Sequence, residues 1–322
     1  MKVLICLALV LACFFAVTAY LSKQQVKEAQ LDYPPLGKFV TVSGRKLHYV
    51  EKGSGPAVIL IHGASGNLRD FTFSLVDQLA DRYRVIAFDR PGLGYSDRVA
   101  PAFEGVFETR AESPSDQARM MLAAAEMLGA KRPIVVGHSF GGGVALAWGL
   151  EQSDASALVL VAAASQPWPG SLGLYYRSTA SMIGGAVAPL MISAYATQTQ
   201  ISDGIEAVFA PQAAPDGYAE HIGAPLTIRP RSFRANARQV NGLRPHFVDM
   251  APRYQTLTIP VEILHGTADL SVPVDVHALP TAHTIPTAEL TLLDGIGHMP
   301  HHNAQDEVIA AIDRAANRAG LL

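Results

Sequence analysis

The run Gly137-His138-Ser139-Phe140-Gly141-Gly142 holds the residues best suited to covalent chemistry. A serine flanked by glycines can be pushed out of the backbone as a nucleophile, provided the chain turns sharply from strand to helix there. The flanking sequence predicts that turn. Pro133-Ile134-Val135-Val136 reads as a short buried strand, and Gly143 to Leu150 as a small-residue helix able to lie close against a sheet. So tight a turn drives its central residue towards a strained backbone geometry, and neighbours without side chains leave room for it. The helix that follows aims its first N–H groups at the charge formed during acyl transfer. The competing reading of Ser139 is an ordinary helix-capping serine.

Four further segments fall in order around it. Val58-Ile59-Leu60-Ile61-His62-Gly63 is an apolar strand ending in a His-Gly pair, and Val85 to Ser96 is a strand with a glycine-rich turn. Val261 to Asp269 is another strand, and Gly295-Ile296-Gly297-His298 is a loop after the apolar Leu290-Thr291-Leu292-Leu293. Together with the serine motif these segments resemble the α/β-hydrolase family over most of the chain. The resemblance implies an α/β fold: a mostly parallel central sheet flanked by helices, with an inserted helical cap. It also implies roles. Ser139 is the nucleophile, His298 the base that takes its proton, and Asp269 the acid that orients His298. The backbone N–H groups of Phe140 and Ala64 become the oxyanion donors. His301 and His302 compete with His298 and otherwise shape the entrance or face solvent. Asp275 and Asp294 compete with Asp269 and otherwise cap the next helix and shape the turn before His298. His62 is expected to hold the oxyanion loop, and Asp89-Arg90-Pro91-Gly92 to form a packed turn.

The strand and helix patterns place these residues. Lys38 to Val42 and Lys46 to Glu51 alternate around Ser43-Gly44-Arg45, which predicts a hairpin. Strands then alternate with helical patterns at Phe71 to Asp81 and Ser115 to Leu128, the second with Ser115 as its cap, the signature of a mostly parallel sheet. Between about Gln166 and Arg253 no long apolar strand occurs, only helical segments broken by prolines. This stretch is the expected cap, covering the crevice at the carboxyl ends of the strands. Its Arg229, Arg231, Arg234 and Arg238 are expected to form a solvated face, with an anion site as the rival reading. Trp168, Tyr175, Tyr176, Phe209 and Phe233 either line an apolar acyl pocket or pack cap on core.

Of the 322 residues, 49% are hydrophobic and 16% charged, ample for one large core within residues 37–322. A net charge of −3 without a basic stripe argues against nucleic-acid binding. Both cysteines, Cys6 and Cys13, lie in the N-terminal apolar run, so the globular part can hold no disulfide framework. No metal-type Cys/His spacing is present, and the chemistry above calls for neither cofactor nor metal.

From Val3 to Leu21 no residue is charged, and Lys2 and Lys23 bound the run. Residues 1–21 therefore read as a single-pass membrane anchor, which their length favours. A signal cleaved after Val17-Thr18-Ala19, giving a secreted or periplasmic protein, is the close alternative, and a lipoprotein signal at Cys13 the weaker one. Residues 22–36 are polar, end in Pro34-Pro35, and are expected to be a short tether. The function expected is a serine hydrolase acting on a carboxylic ester or related small acyl compound. Two alternatives remain: a carbon–carbon bond hydrolase or peptidase with the same serine, and a non-catalytic receptor on the same fold.

Overall fold

A computed structural model describes residues 1–151 and 155–322. Eight strands form one sheet in the order β1-β2-β4-β3-β5-β6-β7-β8. They are β1 Lys38–Val42, β2 Arg45–Lys52, β3 Ala57–Ile61, β4 Arg84–Phe88, β5 Ile134–His138, β6 Ala157–Val161, β7 Val261–Gly266 and β8 Ala288–Leu293. The first pairings, β1 with β2 and β2 with β4, are antiparallel, and every later one is parallel. The hairpin turns on Ser43 and Gly44 alone, at φ 48° and 78°, a two-residue turn whose twist matches the strands.

Strands β3, β5, β6 and β7 are buried along their whole length, as parallel strands covered on both faces must be. Alternation splits the core into two layers. On β3, Ile59 and Ile61 face a cluster with α4 (Pro114–Met127) and α5 (Phe140–Leu150), whereas Val58 and Leu60 face α2 (Arg69–Thr72), α3 (Leu75–Leu79) and α15 (Gln305–Arg318). Helix α4 begins two residues earlier than expected. Its cap is Ser113, which accepts from Asp116 N–H while Asp116 accepts from Ser113 N–H, and Pro114 fills the first helical position. The single helix expected over 71–81 is broken into α2 and α3, with Ser74 turned to the side chain of Gln305 at 2.7 Å.

Between β6 and β7 the chain leaves the sheet and forms seven helices among the described residues. These are α6 Leu174–Ala180, α7 Met182–Tyr195, α8 Gln198–Phe209, α9 Tyr218–Ile222, α10 Ala224–Thr227, α11 Pro230–Asn241 and α12 Leu243–Met250. Of the arginines of α11, Arg231 is exposed but Arg234 and Arg238 are buried, so they form neither one solvated face nor an open anion site. Arg238 is buried and donates to the carbonyls of Gly105 and Val106, Arg234 donates to Gly185, and Arg231 reaches Ser96 and Asp97. Arg229, beside the helix start, donates to Leu226. A guanidinium satisfied by several carbonyls can be buried where a lysine could not, which spacing along one helix face does not reveal.

The N-terminal helix α1 runs unbroken from Lys2 to Asp32. It is long and apolar enough to cross a membrane, with a mean hydropathy of 2.7 over its most apolar window. The polar stretch 22–36 expected as a tether is thus helical through Asp32, and Ser22 and Ala29 are buried on its inner face. Helix α13 (Ala278–Thr284) starts at His277 without a side-chain cap, so Asp275 does not cap it; the short α14 (Pro300–Asn303) leads into α15.

Candidate active site

Strand β5 ends at His138, and Ser139 then takes φ 52° and ψ −120° before α5 begins. That region is costly for a residue with a side chain, and the surroundings enforce it. A Cβ at Gly137 would lie 2.2 Å from the carbonyl oxygen of Gly141, and one at Gly141 would lie 2.1 Å from that of Ile61. The glycines thus serve close backbone approach at the elbow, since neither has positive φ.

Two neighbouring strands, β7 and β8, deliver the other groups from their carboxyl ends. After β7, Asp269 is turned inward, and its Oδ1 accepts from the N–H groups of Ser271 and Val272 at 2.8 and 2.9 Å. After β8, His298 is set 2.7 Å from Asp269 Oδ2 through Nδ1 and 2.9 Å from Ser139 Oγ through Nε2. The network assigns the imidazole proton to Nδ1, donating to Asp269, and leaves Nε2 to accept from the serine hydroxyl. Burial favours a protonated Asp269, but hydrogen bonds from His265 and His298 outweigh it and hold the carboxyl well below the usual range. Ser139, Asp269 and His298 are all buried.

The loop after β3 that carries Gly63 and Ala64 lies beside Ser139. A Cβ at Gly63 would touch Ser139 Cβ at 3.0 Å, so the loop passes directly over the serine, and Ala64 lines the same cavity. His62 holds this loop: Nδ1 donates to the Gly63 carbonyl and Nε2 accepts from Arg90 N–H, both at 2.9 Å. Burial, with the Arg90 charge, lowers its pKa to about 4, so His62 is neutral. Arg90 itself is fully buried, donates to Gly63, Gln117 and Gln239, and stacks 4.1 Å from the Phe140 ring. It pins the loop to the start of α5.

Sequence reasoning missed the group beneath the serine. Asp70 on α2 is buried and accepts from His301 at 3.0 Å, His302 at 2.8 Å and Tyr218 at 2.9 Å. Burial raises its pKa, yet the two histidines hold it well below the ordinary value. His301 and His302 therefore do not face solvent. They hold a carboxylate. Within this group Asp70, His138 and His301 present donor atoms within 4.8 Å of one another, the nearest arrangement to a metal site among the described residues. Asp70 is engaged by three partners and His138 Nε2 by the His298 carbonyl at 2.9 Å, whereas His138 Nδ1, 4.0 Å from Asp70, and His301 Nδ1 are buried without a hydrogen-bond partner. The only advance sign was a His-His pair three residues after His298, with no pattern pointing to Asp70 as its partner.

A cavity of about 790 Å³ opens above Ser139. Its walls are Tyr175 and Tyr176 of α6, Met191 and Ile192 of α7, Ile205 and Val208 of α8, and Phe233 of α11. Of the five aromatics expected either to line a pocket or to pack cap on core, Tyr175, Tyr176 and Phe233 line the cavity. Trp168 instead packs on Phe247, and Phe209 is sealed against Tyr218. No lysine or arginine lines the cavity among the described residues, and Asp70 is its one carboxylate.

The chain is similar to known proteins in sequence and in fold. The chain is 29% identical over 289 residues to an uncharacterised protein of Mycobacterium tuberculosis, covering 87% of this chain and 81% of that one. It is 25% identical to a 2-hydroxy-6-oxo-6-phenylhexa-2,4-dienoate hydrolase of Burkholderia cepacia, covering 84% and 92%. The fold superposes on a crystal structure of a meta-cleavage product hydrolase with TM-score 0.70 at 22% identity, covering 88% and 99%. Residues 58–311 match the profile of the Alpha/beta hydrolase family, which takes in every strand from β4 to β8 and all three residues around the serine hydroxyl. The chain belongs to the alpha/beta hydrolase family.

Proposed function

We propose that this chain is a serine hydrolase acting on a neutral carboxylic ester, held at a membrane by α1. The observation that carries the reading is the hydrogen-bonded series Ser139–His298–Asp269 at the floor of an apolar cavity. Ser139 Oγ attacks the carbonyl carbon as its proton passes to His298 Nε2, and the backbone N–H groups of Phe140 and Ala64 receive the oxyanion. His298 then gives that proton to the departing alcohol oxygen as the carbon–oxygen bond breaks, leaving an acyl-serine. Water, deprotonated by His298, attacks the acyl carbon. Collapse releases the carboxylic acid and returns the proton to Ser139. Asp269, ionised throughout, keeps the imidazole oriented and stabilises its positive form.

The lining favours an ester over the substrate class named for the Burkholderia cepacia relative. A dienoate carries a carboxylate, which in this cavity would meet Asp70 and no cationic side chain. Desolvating an unpaired charge costs several kcal/mol, roughly, whereas a neutral acyl chain gains by burial. Membrane retention rests on the length of the uncharged run and on the exposure of its apolar residues from Val3 to Val17. The test of the activity is turnover of p-nitrophenyl acetate, butyrate and octanoate beside a dienoate substrate. Ester turnover that vanishes in Ser139→Ala supports the reading. Turnover of the dienoate alone overturns the ester assignment, and turnover of neither points to the receptor alternative.

A further inference from the structure

Helix α1 divides into two parts. From Lys2 to Val17 every residue is exposed, whereas Thr18, Ser22 and Ala29 are buried, at spacings that share one helical face. That face packs along α7 and against α10. At its upper end Thr18 Oγ1 lies 2.9 Å from the hydroxyl of Tyr195, the last residue of α7. At its lower end the ring of Tyr33 sits 5.5 Å from the Arg69 guanidinium, the Tyr33 carbonyl accepts from the Tyr95 hydroxyl, and Arg69 donates to the Pro34 carbonyl at 2.8 Å. The segment is fixed to the helical insertion at one end and to the sheet domain at the other. It is a strut.

A strut sets the domain's position relative to a bilayer. The uncharged run Val3 to Leu21 covers about 28 Å as a helix, close to a hydrocarbon core of about 30 Å. Thr18 lies in the last turn of that run, so a spanning α1 places its partner Tyr195 at the head-group level, where tyrosine is favoured. Tyr195 also lines the cavity, next to Ala196, Gln200 and Ile201 at the corner between α7 and α8. Tyr195 and Gln200 are exposed whereas Ser139 is buried, so the cavity runs from that corner inward to the serine. Met191, Ile192, Ile205 and Val208 make its walls apolar.

We propose that the cavity loads from the bilayer through the α7–α8 corner, and that the substrate is a long-chain, uncharged ester dissolved in the membrane leaflet. This deepens the hydrolase and anchor readings above and rests on both. The acyl chain passes from lipid to the apolar walls with little exposure to water, while the ester carbonyl reaches Ser139.

Two measurements on the full chain in phosphatidylcholine–phosphatidylglycerol vesicles test this, and the first needs no activity. With Cys6→Ser and Cys13→Ser as background, an environment-sensitive dye is placed at Gln198→Cys beside the corner, or at exposed Arg132→Cys just before β5, at the amino ends of the parallel strands. Spin-labelled lipid is expected to quench the first dye and not the second. Equal quenching at both positions, or none at Gln198→Cys, overturns the placement. The second replaces Ser22–Asp32 by a flexible Gly/Ser segment of twice the length, keeping the anchor and removing the strut. Hydrolysis of vesicle-dissolved 4-methylumbelliferyl oleate is expected to fall about tenfold or more, with water-soluble p-nitrophenyl acetate turned over as before. Equal oleate hydrolysis with and without the strut overturns bilayer loading. If the unaltered chain cleaves neither ester, the hydrolase reading fails, while the quenching still decides where the corner sits.

Discussion

His138 Nε2 donates to the carbonyl oxygen of His298 across 2.9 Å, tying the residue before the serine to the loop that carries its partner. The two rings lie 5.0 Å apart, and burial, with repulsion from His301 and His298, holds the His138 pKa well below the ordinary value. A neutral imidazole is thereby a fixed spacer between the β5 and β8 ends.

Replacing that spacer tests its role. His138→Phe keeps a ring in the space but leaves the His298 carbonyl without its donor. A loss of about 1–3 kcal/mol in urea unfolding is expected, with kcat on a short ester reduced and KM little changed. Unaltered stability and kcat would show that the contact is incidental.

Asp269→Asn should slow ester turnover by about a thousandfold or more, because the amide cannot hold His298 in the required tautomer. Asp275 is exposed, and Asp275→Asn should leave turnover as it was. A dead Asp275→Asn protein beside an active Asp269→Asn protein would reverse the assignment.

The sheet and the placement of Ser139, Asp269 and His298 were legible because each depends on a local signal: a fully apolar strand, a glycine at a backbone crossing, a loop at a strand's carboxyl end. Asp70 was not legible, since its meaning comes from three partners about 150 and 230 residues away, on elements that only tertiary packing unites. The α11 arginines misled for the same reason. Arg238 donates to carbonyls of the 103–106 segment and Arg234 to that of Gly185, and carbonyls leave no trace in side-chain chemistry. Residues 22–32 looked like a tether because polar composition does not show that Ser22 and Ala29 share a buried face with Thr18.

The aromatic residues of the insertion divide by position. Phe233 lines the cavity and meets Tyr175 edge-on at 6.3 Å, so Phe233→Ala should shift preference towards bulkier acyl groups. Trp168 packs on Phe247 away from the cavity, so Trp168→Ala should cost about 3 kcal/mol of stability and leave the preference alone. Rates across ester chain lengths, with unfolding curves for both variants, separate the two outcomes. A shift in preference in Trp168→Ala alone would contradict this division.

Acid should destabilise the fold through its buried neutral histidines. Burial lowers His62 from 6.5 to about 4, and His277 to about 4. Between those values the unfolded chain binds protons that the folded histidines refuse, so stability falls as pH drops from 6.5 towards 4. His62 alone accounts for about 3 kcal/mol across that window. Tm measured at steps from pH 7.5 to 4.5 should be level above 6.5 and decline below it. A level Tm throughout would mean that these imidazoles are not buried neutral.

The central claim is that Ser139 is an activated nucleophile, and covalent trapping tests it most directly. The full chain is treated with a fluorophosphonate and digested, and the modified peptide is located by mass spectrometry. The expected adduct is on Ser139, stoichiometric at neutral pH, absent from Ser139→Ala and strongly slowed in His298→Ala, with both variants folded. No adduct on a folded chain, or an adduct elsewhere while Ser139→Ala still hydrolyses esters, would contradict the account.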